Sequence, residues 1–147
     1  MAELRPKFLT IDEIAALRAR QGDDGWRPGR QGTGYDILPL PRVADGAIAR
    51  ALALLGTPFD DYWDVYLIRY LDGSHIPPHT DPAQHGRRHR RLNALLERAT
   101  SGGQLTIAGA PIELAIGDAV VFEPDHEIHE VSRVSGTRVL FSVGAWV

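Results

Sequence analysis

The 147-residue chain contains no cysteine, which excludes disulfide bonds, thiolate catalysis and cysteine-based zinc or iron–sulfur sites. It has no apolar run long enough to span a bilayer. Its net charge of −3 provides no general attraction to nucleic acid or anionic membranes. Residues 1–7 lack the apolar run of a signal peptide. We therefore expect a cytoplasmic protein without nucleic-acid or membrane partners.

The composition is that of an ordinary globular protein, with 44% hydrophobic and 24% charged residues. A chain of 147 residues can bury a substantial core, so we expect a single domain over residues 1–147. The pattern does not indicate an oligomeric state.

The first third of the chain predicts two helices. Thr10-Ile11-Asp12-Glu13 indicates a capping box that opens a helix of about ten residues. Val43 to Leu55 predicts a second helix, stopped by Gly56 and Pro58. The loop between them, Gln21 to Gly34, is either a binding loop or plain surface. The first helix has an apolar stripe of Ile11, Ile14, Ala15 and Leu17.

Short β-rich segments separated by glycine turns follow. Residues 92–97 suit a helix or a strand, and we favour a strand because strands surround them. The preceding residues 82–91, with His85, His89 and Arg87 to Arg91, are predicted to form a polar loop, either solvated or contacting substrate. The regular spacing of these short strands and their glycine turns indicates a closed barrel or sandwich. The predicted strands are 35–40, 62–70, 76–81, 92–97, 104–108, 111–115, 119–122, 128–134 and 137–143.

A histidine and a carboxylate two residues apart stand out in His79-Thr80-Asp81. On an extended strand both side chains project to one side, where they can meet the same cation. A third ligand must come from elsewhere, and His126 and His129 are the candidates. Two histidines with one carboxylate form the facial set of non-haem Fe(II) oxygenases, which leaves open coordination positions. A lone H-x-D motif is common by chance.

A wider ordered pattern surrounds this motif and resembles the 2-oxoglutarate- and Fe(II)-dependent oxygenases, specifically the prolyl-4-hydroxylase-like branch. The resemblance covers about residues 62–147. It is carried by Tyr70-x-x-Gly73, His79-x-Asp81, Gly102-Gly103-x-Leu105-x-Ile107, Ile116-Gly117-Asp118-Ala119-Val120-Val121-Phe122, His129-x-Val131, Gly136-x-Arg138 and Trp146.

The resemblance implies a mainly β fold, a double-stranded β-helix (jelly-roll, cupin-like) over about residues 62–147 with N-terminal support helices over about 8–58. It implies that His79, Asp81 and His129 are the metal ligands and catalytic centre. By the same resemblance, Arg138 pairs with the distal carboxylate of 2-oxoglutarate and Tyr70 helps to bind it. Other members carry a tyrosine in the strand before the Gly-Gly turn. Residues 93–97 contain none, which leaves the secondary cosubstrate contacts open.

The position of Arg138 agrees with that role. It shares one face of an otherwise apolar strand with Leu140 and Ser142, where an unpaired charge is costly. Its planar guanidinium suits a carboxylate. A carboxylate of the protein, Asp118 or Glu123, is the alternative partner.

The resemblance implies a dioxygenase that uses Fe(II), 2-oxoglutarate and O₂, with ascorbate as an optional reductant. Such a hydroxylase would act on an unactivated C–H of a peptide or protein side chain, or of a free amino acid, and release succinate and CO₂. A halogenase would lack the carboxylate that Asp81 supplies, and a nucleic-acid demethylase would carry a second arginine where Gly144 stands. A non-catalytic cupin-like binding module is the remaining alternative.

Overall fold

The computed structural model describes residues 2–57 and 62–147, and every statement about elements refers to them. The helices are α1 (Ile11–Ala19) and α2 (Gly46–Leu55). The strands are β1 (Glu3–Arg5), β2 (Arg27–Pro28), β3 (Tyr35–Pro39), β4 (Trp63–Tyr70), β5 (Ile76–His79), β6 (His89–Glu97), β7 (Ser101–Gly102), β8 (Leu105–Ile107), β9 (Ala110–Ile112), β10 (Ala119–Phe122), β11 (His129–Val131), β12 (Val134–Ser135) and β13 (Arg138–Trp146).

Two antiparallel sheets form the body of the molecule. The larger has seven strands in the order β1-β10-β6-β13-β4-β3-β2, and the smaller has four in the order β5-β11-β8-β9. The central strand β13 is buried along its whole length. Apolar side chains of both sheets pack into one cluster, including Ile68 and Leu140 of the larger sheet and Leu105 and Val131 of the smaller. The sheets therefore face each other, and the predicted β-rich core is confirmed.

Both helices cover the outer face of the larger sheet. Leu52 and Leu55 of α2 are fully buried against Leu67 and Phe141 of the sheet. This second apolar cluster supports β4, β6 and β13 from behind. Neither helix of the described residues is long and apolar enough to cross a membrane.

The predicted capping box at α1 is confirmed. The Thr10 hydroxyl accepts the Glu13 N–H at 3.1 Å, and the Glu13 carboxylate accepts the Thr10 N–H at 2.9 Å. The predicted apolar stripe is wrong at Ile11, which is 85% exposed, and at Ala15, which is exposed as well. Ile14 and Leu17 are partly buried and pack against the core.

The second helix begins three residues later than predicted. Asp45 is extended, with φ −130° and ψ 169°, so α2 cannot start before Gly46. It ends as predicted, because Gly56 adopts the left-handed conformation at φ 78° and closes the last turn. Pro58, the other predicted stop signal, lies outside the described residues.

Tertiary pairing changes two strand boundaries near the motif. Strand β6 begins at His89 rather than at residue 92, because β13 pairs with it as far as Trp146 opposite His89. His89 and Arg91 are consequently buried, and their placement in a polar loop was wrong. The motif strand β5 ends at His79, two residues before Asp81. Strand β1 was not predicted, since it forms only against β10.

Candidate metal centre and its cavity

The structure brings His79, Asp81 and His129 together. Strands β5 and β11 pair with His79 directly opposite His129. Asp81 lies beyond the end of β5, and its backbone N–H donates to the Pro124 carbonyl at 2.7 Å. One potential ligand atom from each of the three residues lies within 4.8 Å of the others. The cluster therefore depends on strand register plus one backbone hydrogen bond, rather than on alternation along a single strand.

Both histidine rings are oriented by hydrogen bonds to the backbone. Nδ1 of His79 lies 2.8 Å from the Pro77 carbonyl, and Nδ1 of His129 lies 2.9 Å from the Glu127 carbonyl. A carbonyl only accepts, so each Nδ1 carries a proton, and Nε2 is the atom that can coordinate a metal when the ring is neutral. The two Nε2 atoms face Asp81, at 3.3 Å and 3.4 Å from its oxygens. This is the tautomer and outer hydrogen bonding that metal-binding histidines require.

His126, the other candidate ligand, lies outside this cluster. Its half-exposed ring contacts Asp125 at 3.0 Å and Glu123 at 3.2 Å, and it also contacts Arg88. The structure therefore groups His129, not His126, with the H-x-D motif.

The three groups shift one another's pKa values. Burial raises the pKa of Asp81, but hydrogen bonds from His129 and His79 outweigh it, so the pKa lies well below the usual range. Burial lowers the pKa of His79, but its bonds to Asp81 and the Pro77 carbonyl outweigh this and raise it. Arg30, from the Gln21–Gly34 loop, also pairs with Asp81. Asp81 is therefore ionised, and the cation that it contacts in this structure is the guanidinium of Arg30.

We expect Fe(II) affinity to fall on acidification. Histidine coordinates a metal only when neutral, so protons compete with the ion, by about tenfold per pH unit for each protonated histidine. Because the pKa of His79 is raised, the decline should begin above pH about 6.5. Anaerobic Fe(II) titration from pH 8 to pH 5 measures this. Affinity that stays flat over that range would contradict a two-histidine site.

A cavity of about 230 Å³ lies between the two sheets beside this cluster. It is lined on the larger sheet by the tyrosines at 35, 66 and 70 and by polar residues of β4 and β6. Tyr35 stacks on Tyr70, with ring centroids 5.7 Å apart, and the two rings together form part of the cavity wall.

Arg138 is a buried cation without a carboxylate partner among the described residues. It is 6% exposed, and its Nη1 has no hydrogen-bond partner there. Its guanidinium carbon lies 5.2 Å from the Tyr70 ring centroid. Burial lowers the pKa of Arg138, and the Tyr70 hydroxyl opposes this only in part. Asp118 and Glu123, the protein partners considered from the sequence, instead contact Lys7 and His126 respectively.

The Gly-Gly turn makes room for this arginine. A Cβ at Gly103 would lie 2.9 Å from Cδ of Arg138. Arg138 lines a second cavity, of about 220 Å³, whereas Tyr70 lines the metal-side cavity and contacts Arg138. Tyr70 therefore links the metal cluster to the unpaired cation, and a ligand that reaches both must pass its ring.

A family model described as the 2OG-Fe(II) oxygenase superfamily matches residues 65–147, more than half of the chain. The chain belongs to the 2OG-Fe(II) oxygenase superfamily. The family implies Fe(II), 2-oxoglutarate and O₂, and the unpaired Arg138 together with the two oriented histidines fits such a metal and an anionic cosubstrate. Among curated proteins, no sequence matches this oxygenase.

Solved structures share the fold of this oxygenase. A Pseudomonas putida prolyl-4-hydroxylase superposes with a TM-score of 0.76 at 20% identity, covering 99% of this chain and 91% of that one. The viral collagen prolyl hydroxylase of Paramecium Bursaria Chlorella virus-1 gives 0.71 at 16% identity, covering 99% and 96%. EvdO2 from Micromonospora carbonacea var. aurantiaca gives 0.74 at 17% identity, covering 99% and 88%. These likenesses confirm the predicted jelly-roll.

Sequence reasoning assigned a second arginine of this oxygenase to a polar loop and did not identify its partners. Arg91 is buried, donates to Ser142 at 2.8 Å and to Asp64 at 2.9 Å, and lines the metal-side cavity. Its guanidinium crosses β13 over Gly144, where a Cβ would lie 2.1 Å from Nη2. The available signal was the alternation of His89, Arg91 and Asn93, which lie on one face of β6. The predicted strand began at residue 92 and therefore did not include the first two of them.

We expect Arg91→Met to lower the free energy of unfolding by about 3 kcal/mol. That is the low end for breaking a buried ion pair, because the Asp64 left behind is 38% exposed and can be hydrated. Arg5→Met is the matched control: its pair with Glu3 is solvated, with the two side chains 46% and 55% exposed, so the cost should stay within about 1 kcal/mol. Urea unfolding of both variants measures the difference. Equal losses would mean that Arg91 is no more important than a surface arginine.

Proposed function

We propose that this protein is an Fe(II)- and 2-oxoglutarate-dependent dioxygenase that hydroxylates an unactivated C–H bond, releasing succinate and CO₂. The whole chain, 1–147, would act as one oxygenase domain. The observation that carries the proposal is the convergence of His79, Asp81 and His129, linked through Tyr70 to the uncompensated cation of Arg138.

Each residue has a role that follows from its surroundings. His79 and His129 present Nε2 lone pairs, and Asp81 adds an anionic oxygen, so the three would hold Fe(II) on one face. Arg138 would anchor the far carboxylate of 2-oxoglutarate, and Tyr70 would support the chain between the two ends. When bound, the metal and cosubstrate supply the oxidising chemistry, and ascorbate would serve only as an optional reductant.

The charge balance favours Arg138 over Arg91 as the anchor of the cosubstrate. Arg91 shares the metal-side cavity, but Asp64 already neutralises it. Arg138 has no such partner among the described residues, so an incoming carboxylate gains more there. We therefore assign the anchor to Arg138, although it lies behind Tyr70.

The primary substrate is proposed to be a peptide or protein side chain, or a free amino acid. Two of the similar structures are named as prolyl hydroxylases, one of them a collagen prolyl hydroxylase, which favours the peptide. On one side of the cluster the buried ring of Phe122 packs against His129, with the two ring centroids 5.1 Å apart.

Succinate formation separates this function from a non-catalytic cupin-like binding module. We expect the protein with Fe(II), ascorbate and 2-oxoglutarate to form succinate slowly without a primary substrate, and faster with one. His79→Ala provides the background. Metal binding with no succinate above that background, for any candidate substrate, would favour the binding module. A +16 Da product in a mass-spectrometric screen would identify the substrate.

A further inference from the structure

The metal-side cavity has a polar end that lies far from Arg138, which lines the other cavity. Alternate residues of β13 face the cavity side, from Arg138 through Ser142 and Gly144 to Trp146. At about 3.3 Å per residue, Gly144 lies roughly 20 Å along the strand from Arg138. There the register places Asp64 and Arg91 on either side of Gly144.

His89 and Trp146 complete this end. They pair across β6 and β13, and their rings stack with centroids 4.6 Å apart and planes 17° apart. They are only 3% and 9% exposed, and both line the cavity. Neither nitrogen of His89, nor Nε1 of Trp146, has a hydrogen-bond partner among the described residues. Buried polar atoms that stay unpaired destabilise a protein, so the pair is suited to a partner that arrives from outside the chain.

The inventory of donors and acceptors defines that partner. Burial and the Arg91 cation lower the pKa of His89 to about 3, so its ring is neutral and offers one N–H and one lone pair. Trp146 offers one N–H. Asp64 neutralises Arg91, so this end carries no net charge. An amide supplies the complement, since its carbonyl accepts and its N–H donates. A carboxylate has no donor for the His89 lone pair.

We propose that His89 and Trp146, beside the Arg91–Asp64 pair, form a subsite for an amide group of the primary substrate. The amide belongs either to a peptide bond or to a carboxamide. Both residues are positioning residues, which hold the substrate in the cavity of the metal cluster. The inference rests on the proposed function only in naming the bound molecule a substrate; amide binding itself can be measured without turnover.

The test uses three shape-matched probes on the full chain: isobutyramide, N-methylisobutyramide and isobutyrate. Titrations are followed through the ¹⁵N-labelled indole N–H signals of the tryptophans. The Trp146 signal is assigned by its loss in Trp146→Phe, or by elimination with Trp26→Phe and Trp63→Phe. We expect an amide to shift the Trp146 signal and to bind about tenfold or more tightly than isobutyrate. Preference for isobutyramide indicates a carboxamide, and preference for N-methylisobutyramide a peptide bond.

Variants test the residues themselves. Trp146→Phe and His89→Phe keep an aromatic ring but remove the nitrogens, so each should weaken binding of the preferred amide about 3- to 10-fold. Trp26→Phe is the matched control, because its Nε1 donates to the Gln21 carbonyl outside this cavity. Unchanged amide affinity in folded Trp146→Phe and His89→Phe would overturn the subsite.

The wild-type comparison decides the matter even if a variant fails to fold. If isobutyrate binds as well as the amides, or if no probe moves the Trp146 signal, the subsite does not exist. Succinate formation is measured separately. An active enzyme without amide binding would refute only the subsite, and amide binding without succinate would refute only the proposed reaction.

Discussion

His129→Ala should abolish turnover and strongly weaken Fe(II) binding, as should His79→Ala and Asp81→Ala. Each variant leaves only two ligands, and two are too few to hold the ion at an open facial site. The effect should exceed that of any other single substitution, because no other histidine or carboxylate among the described residues joins this cluster. Anaerobic Fe(II) titration and succinate formation measure the two losses.

His126→Ala is the control, since it removes the same side chain three residues away. His126 contacts Asp125, Glu123 and Arg88 at the surface, so most activity should remain. An inactive His126→Ala beside an active His129→Ala would show that the ligand assignment is wrong.

Arg138→Ala should raise the dissociation constant for 2-oxoglutarate by about 30-fold to several thousand-fold. Removing one partner of a buried, charge-assisted pair costs about 2–5 kcal/mol, because water does not screen it well. Fe(II) binding should remain nearly intact, since Arg138 lines a different cavity from the histidines. Arg138→Lys keeps the charge but loses the planar fork, so its affinity should lie between the two. Isothermal titration of 2-oxoglutarate into the metal-loaded wild type, Arg138→Ala and Arg138→Lys measures the three affinities.

Arg133→Ala is the matched control for that experiment. Its guanidinium is bound to the Gly73 carbonyl at 2.7 Å, at an exposed position, so 2-oxoglutarate affinity should not change. If Arg138→Ala binds 2-oxoglutarate as well as the wild type does, the anchor lies elsewhere, and Arg91 is the next candidate because it lines the metal-side cavity. Arg69 is a weaker candidate, since Asp36 already pairs with it at 2.6 Å.

The sequence predicted an element correctly where the interactions that form it lie between residues close together in the chain. The capping box needs only Thr10 and Glu13, and the end of α2 needs only the left-handed Gly56. Strand β10 was predicted with its observed bounds, because four consecutive apolar residues between turns suit a fully buried strand. The tertiary structure overrode local preference at residues 89–91, whose polar side chains suggested a loop until β13 and Asp64 supplied partners.

The sequence by itself determined the fold class, the family resemblance and the chemical nature of the H-x-D motif, because periodicity, turn residues and motif spacing are written along the chain. The resemblance already implied His129 rather than His126 as the third ligand, and the tertiary structure showed how His129 comes to lie near Asp81, through the register between β5 and β11. The tertiary structure alone showed that Asp64 neutralises Arg91, whereas no carboxylate of the described residues pairs with Arg138. Ion pairing depends on which strands lie next to each other, and that adjacency is a property of the folded sheet.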